Sequence, residues 1–136
     1  MMGTYTELII KCCIKLDIPI EVHLILDFLF NSSSILPRNL PDHDFFQCPR
    51  WKDIGRCNSY YHIPRTFSYF ETPYLFSRSD LKNYDNEIEK FLDWIDSYVD
   101  SDLEKGIGWI FYEGAEKPLL ITYTPKQNLL QKSEIN

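Results

Sequence analysis

Glycine is scarce, at five in 136 residues, and no Walker motif, dinucleotide fingerprint or other glycine-rich phosphate loop occurs. The usual backbone cradles for nucleotide phosphates are therefore missing. GxSxG and HExxH are absent too, so neither an α/β-hydrolase nucleophile nor a zinc-protease site is expected. No apolar run approaches the ~18 residues of a membrane span. The start Met1-Met2-Gly3-Thr4 has no basic stretch followed by an apolar one, which predicts no signal peptide. The four cysteines (Cys12, Cys13, Cys48 and Cys57) include no CxxC pair and do not read as a secreted disulfide framework. They are expected as free thiols. A basic surplus is lacking as well: the formal charge is −6, which argues against direct nucleic-acid binding. The expectation is a cytoplasmic protein with no cofactor, no metal and no membrane contact. An enzyme is not expected.

What the chain does have is apolar surface. Hydrophobic residues make up 44% and aromatics 15%, too much for disorder and enough for a sizeable core. The reading is one domain over 1–125 with a polar tail at 126–136. Thr6, Leu8, Ile10, Cys12 and Ile14 alternate with a mixed set, which predicts a strand buried on one face. Pro19 starts a helix running to about Asn31. Its core stripe is Val22, Ile25, Leu26 and Leu29, and further apolar surface at Leu24, Phe28 and Phe30 implies deep covering or a partner. Phe45, Phe46, Trp51 and Ile54 suit a short helical turn. Strand-like runs follow at 59–62, 66–70 and 74–81.

Ile88, Phe91, Leu92, Ile95, Tyr98 and Val99 recur at helical spacing over 85–99, with Asn83 or Asp85 as cap and Trp94 half-buried at the stripe's edge. A hairpin spans 107–123. The fold class is α+β: an antiparallel sheet of about five strands with two main helices packed on one face. The expected core includes Leu8, Ile10, Ile25, Leu29, Ile88, Phe91, Leu92, Ile95 and Trp109.

Charge is unevenly distributed. Residues 38–82 are net +2 and contain all five arginines, whereas residues 83–136 are net −6. At ~100° per residue, Glu89, Asp93, Asp96 and Asp100 form one stripe on the late helix. Like charges at i,i+4 destabilise a helix by a few tenths of a kcal/mol per pair, so helix stability does not explain the stripe. It is either a solvated face or a docking surface for a basic groove. The middle segment offers a second candidate. Arg50, Trp51, Arg56, Tyr60, Tyr61, Arg65 and Arg78 combine guanidinium forks for phosphate with rings for a base, or else simply decorate a sheet. His43, Cys48, Cys57 and His62 could supply zinc ligands in principle, but their spacing departs from structural zinc sites.

The strings Arg50-Trp51-Lys52-Asp53-Ile54-Gly55-Arg56-Cys57-Asn58-Ser59-Tyr60-Tyr61 and Arg78 through Ile95 resemble a group of small, largely uncharacterised proteins carried by phages and prophages. The likeness covers roughly residues 4–123. It brings no catalytic residues. It implies a counter-defence protein that inhibits a host defence protein by direct binding, in the manner of anti-CRISPR proteins. The alternative it implies is a binder that sequesters a phosphate-bearing nucleotide signal. Either would act in the host cytoplasm, and homo-oligomerisation is left open.

Overall fold

The computed structural model describes residues 5–31, 33, 35–56, 66–100, 106–112, 114–124 and 129–134. The elements are β1 (Thr6–Cys13), α1 (Ile20–Phe30), β2 (Phe67–Glu71), β3 (Tyr74–Leu81), α2 (Glu87–Ile95), β4 (Gly106–Phe111), β5 (Leu119–Thr124) and β6 (Leu129–Glu134). Short 3-10 turns occupy Asp44–Gln47, Trp51–Asp53 and Asp96–Tyr98. The strands form one antiparallel sheet in the order β2-β3-β1-β4-β5-β6. The α+β architecture matches the expectation. The sixth strand comes from the segment expected as a tail: Leu129–Glu134 pairs with β5 along its whole length. The strand-like run at 59–62 lies outside the described residues.

β1 is central because its alternation is strict. Leu8, Ile10 and Cys12 are buried on the helical side, while Glu7, Ile9 and Lys11 point the other way. Both helices and the two turns between them pack on that inner face. There Ile25 and Leu29 from α1 and Ile88, Phe91, Leu92 and Ile95 from α2 join the strand core. Phe28 and Phe30 are covered as well, which leaves Leu24 and Ile20 as the exposed apolar positions of α1. Asn83 caps α2, its Oδ1 accepting the Ile88 N–H at 2.8 Å.

The long connection from α1 to β2 is held by rings. Phe45, fully buried, meets Phe46, Trp51, Phe91 and Trp94 at centroid separations of 4.9 to 6.0 Å. Trp94 is therefore buried in this cluster rather than half-exposed. Gly55 then fastens the connection to β2 and β3. Its φ is +74°, and a Cβ there would lie 2.5 Å from the Phe30 ring, so the position needs glycine twice over. Its N–H donates to Ser79 Oγ, and its carbonyl accepts from Ser68 Oγ. Asn31 closes the outer edge of β2: its Oδ1 accepts the Phe70 N–H at 2.9 Å, and its Nδ2 donates to the Phe70 carbonyl at 2.6 Å.

Trp109 departs from the expected core. It is 41% exposed, on the outer face of β4. A register irregularity between Gly106 and Gly108 lets both Ile107 and Ile110 face inward, so simple alternation misplaces the tryptophan.

Two outcomes follow from this packing. Phe45→Ala should cost about 3–5 kcal/mol in chemical denaturation, the scale of a fully buried phenylalanine, whereas Leu24→Ala should be nearly neutral. Asp53 is half-buried, and that burial pushes its carboxyl above the ordinary range, with Arg50 pulling the other way. A raised folded-state pKa means that ionised Asp53 weakens the fold at neutral pH and that protonation relieves the cost. Asp53→Asn should therefore raise Tm at pH 7. The difference should disappear as pH falls through the carboxylate range.

Candidate interaction surfaces

A cleft of about 680 Å³ lies along α2, lined by residues including Asp44, Asn86, Glu89, Lys90, Asp93 and Tyr112. Its far wall exists because the Phe45 ring anchors the 44–47 turn, which brings His43 and Asp44 opposite the helix. His43 Nδ1 accepts the Phe45 N–H at 3.0 Å. The ring proton therefore sits on Nε2, which donates to Asp93 Oδ2 at 2.8 Å. Glu89 is a structural post: it accepts from Asn83 Nδ2 at 2.8 Å and from the Tyr112 hydroxyl. Asp93, with a side chain 69% exposed, and Asp44 present their charge to solvent.

This geometry does not favour catalysis. Both nitrogens of His43 are engaged, so neither is available as a general base. The nearby Cys48 is buried, and its thiol leans on the carbonyls of Asp44 and Asp85 at 3.7 and 3.6 Å. Burial pushes its pKa up, so the thiolate form is disfavoured. Among the described residues no group of three His, Cys, Asp or Glu side chains could hold a metal ion. Cys57 and His62 lie outside the described residues.

The expected acidic stripe is only partly a surface. Glu89 and Asp93 reach the cleft. Asp96 is buried and Asp100 partly so. The physical reason is a change of helix: α2 ends at Ile95, and Asp96–Tyr98 is a 3-10 turn, so the 100° spacing stops holding. Asp44, more than forty residues before the helix in sequence, takes their place. No sequence signal indicated it.

The described arginines do not converge. Arg50 pairs with Asp85 at 3.5 Å and lies 5.0 Å from the Tyr84 ring. Arg56 covers the Phe28 ring at 4.1 Å and donates to the carbonyls of Phe28 and Ser33. Arg78 pairs with Glu7 and Asp80 on the outer face of the sheet. Trp51 is buried in the aromatic cluster, which corrects its expected role as a stacking platform. Tyr60, Tyr61 and Arg65 lie outside the described residues.

The second surface is the outer face of the sheet. Strand pairing places Phe67, Arg78, Ile9, Trp109 and Leu120 in one row across β2, β3, β1, β4 and β5. Phe67, Tyr69, Tyr74, Trp109 and Phe111 are all exposed there. A shallow groove of about 270 Å³ lies between Trp109, Phe111 and Pro118.

Arg56→Ala measures whether that arginine belongs to the fold or to a ligand. With its two carbonyl contacts and the Phe28 ring, we expect a loss of about 1–3 kcal/mol in stability, measured by urea unfolding without any added nucleotide.

No protein-family model matches the chain, and no curated protein or solved structure matches it either.

Proposed function

We propose that this protein is a non-catalytic inhibitor of the counter-defence type, which docks on a basic surface of a host effector through the acidic cleft beside α2. The observation that supports this reading is the placement of Asp44 and Asp93. Both are solvent-facing, both stand on elements fixed by the aromatic cluster, and among the described residues that line the cleft Lys90 is the only Lys or Arg. Rigid carboxylates lose little freedom on pairing with lysine or arginine, which favours binding. Opposite charge across an encounter mainly accelerates association. The engaged nitrogens of His43 and the protonated Cys48 fit a protein that binds rather than turns over substrate.

A nucleotide-sequestering role has less support. Arg50, Arg56 and Arg78 stand on separate parts of the fold and are each held by internal partners.

The test is capture of a panel of host defence effectors by wild type and by the Asp44→Lys/Asp93→Lys variant at two salt concentrations. Asp44→Lys is at an exposed position and should change stability by no more than about 0.5 kcal/mol; Asp93→Lys also removes the acceptor of His43 Nε2, worth about 1 kcal/mol, so circular dichroism checks that the variant is folded. Capture should fall sharply in the variant. In the wild type it should weaken with salt as the Debye length shrinks below ~8 Å. Equal capture by both proteins at both salts would remove the cleft from consideration.

A further inference from the structure

We propose that the cleft beside α2 takes one arginine side chain of the protein it docks on, with the guanidinium brought down to the Thr6 hydroxyl. This rests on the docking reading above and names the residue that the surface selects. Three observations carry it. The first is Thr6 itself. It lies on the inward face at the start of β1, is only 7% exposed and lines the cleft. No hydrogen bond engages its hydroxyl among the described residues, and the oxygen is not sealed from solvent, so it opens onto the cleft. Valine fills such a strand position equally well and leaves no hydroxyl to satisfy. A polar atom kept at the floor of an acidic cleft points to a ligand that meets it there.

The second is the spread of acceptors. Thr6 pairs with Leu81 of β3, and its neighbour Glu7 pairs with Phe111 of β4. The floor therefore lies between the strand ends that lead to Asn83 and to Tyr112. Those two side chains both donate to Glu89 and fix its carboxylate in the same cleft. Asp93 Oδ2 accepts from His43 Nε2, while its Oδ1 has no partner among the described residues. Asp44 stands on the wall opposite the helix. Acceptors thus arrive from β1, from α2 and from the 44–47 turn.

That spread decides between the two basic side chains. An ammonium is a compact, strongly hydrated charge that the exposed carboxylates of the rim serve without any floor. A guanidinium carries five N–H donors in a fixed plane, sheds water more readily and reaches acceptors in several directions at once. The third observation is size. A cleft of about 680 Å³ lies within the range of small-molecule pockets and has room for a side chain together with the backbone that carries it.

The experiment titrates the full chain, followed by NMR, with a capped pentapeptide that has a central arginine between serine and glycine flanks, and with its lysine counterpart. The arginine peptide should bind at least about tenfold more tightly, a difference of about 1.4 kcal/mol, and shift the amides of Thr6, Glu89 and Asp93. Thr6→Val should remove most of that preference and leave Tm no lower than in the wild type. Free L-arginine, whose own carboxylate meets the acidic rim, should bind more weakly than the peptide. Equal binding of the two peptides overturns the proposal, as does a Thr6→Val variant that keeps the preference. So does a Thr6→Val variant that melts lower, since the hydroxyl would then serve the fold. Free L-arginine binding as tightly as the peptide also overturns it, because the site would then belong to the amino acid. Thr6→Val leaves the rim charges in place, so lost arginine preference with effector capture intact strikes this inference alone. Capture that the Asp44→Lys/Asp93→Lys variant does not reduce, with the arginine preference as stated, strikes the docking reading and leaves the arginine site standing.

Discussion

The position of Phe45 governs more of this molecule than any other contact. It stands on a four-residue turn in the long connection between α1 and β2, whose described residues form only short 3-10 turns. Side-chain burial is a large part of what offsets the conformational entropy of such a segment. Edge-to-face and stacked contacts with Phe46, Trp51, Phe91 and Trp94 supply that burial. Once the ring is seated, the backbone on either side has little choice. His43 is brought to Asp93, Asp44 to the rim of the cleft, and Trp51 into the interior. The surface chemistry of α2 is thus set by a residue that never reaches the surface.

Polar groups inside the fold follow the same economy. Arg56 satisfies carbonyls near the end of α1, Ser68 and Ser79 tie the turn at Gly55 to the sheet, and Asn83 serves both the α2 N-terminus and Glu89. A buried polar group left without such partners costs about 1–3 kcal/mol. This is why residues that read as ligand-binding candidates turn out to be fastenings. Arginine and aromatic side chains are equally suited to both tasks, and composition does not distinguish them.

Periodicity made the regular elements legible. The alternation of Leu8, Ile10 and Cys12 and the helical recurrence of Ile88, Phe91, Leu92 and Ile95 each point to a single face, because burial on one side enforces the period. The failures occur where the period breaks. Trp109 changes sides at an irregular register, and Asp96 turns inward where the helix tightens. The approach of His43 to Asp93 across fifty residues has no local cause at all, since it depends on how one loop packs. β6 escaped notice because its backbone finds partners only once β5 is in place.

Asn31 has a consequence for how these molecules behave in crowded solution. An edge strand presents unpaired N–H and C=O groups to which a strand of another molecule can add. The Asn31 amide occupies both the donor and the acceptor of Phe70, at the middle of that approach. An arriving strand would have to displace it and pull on the last turn of α1. One side chain thus blocks strand addition at this edge of the sheet.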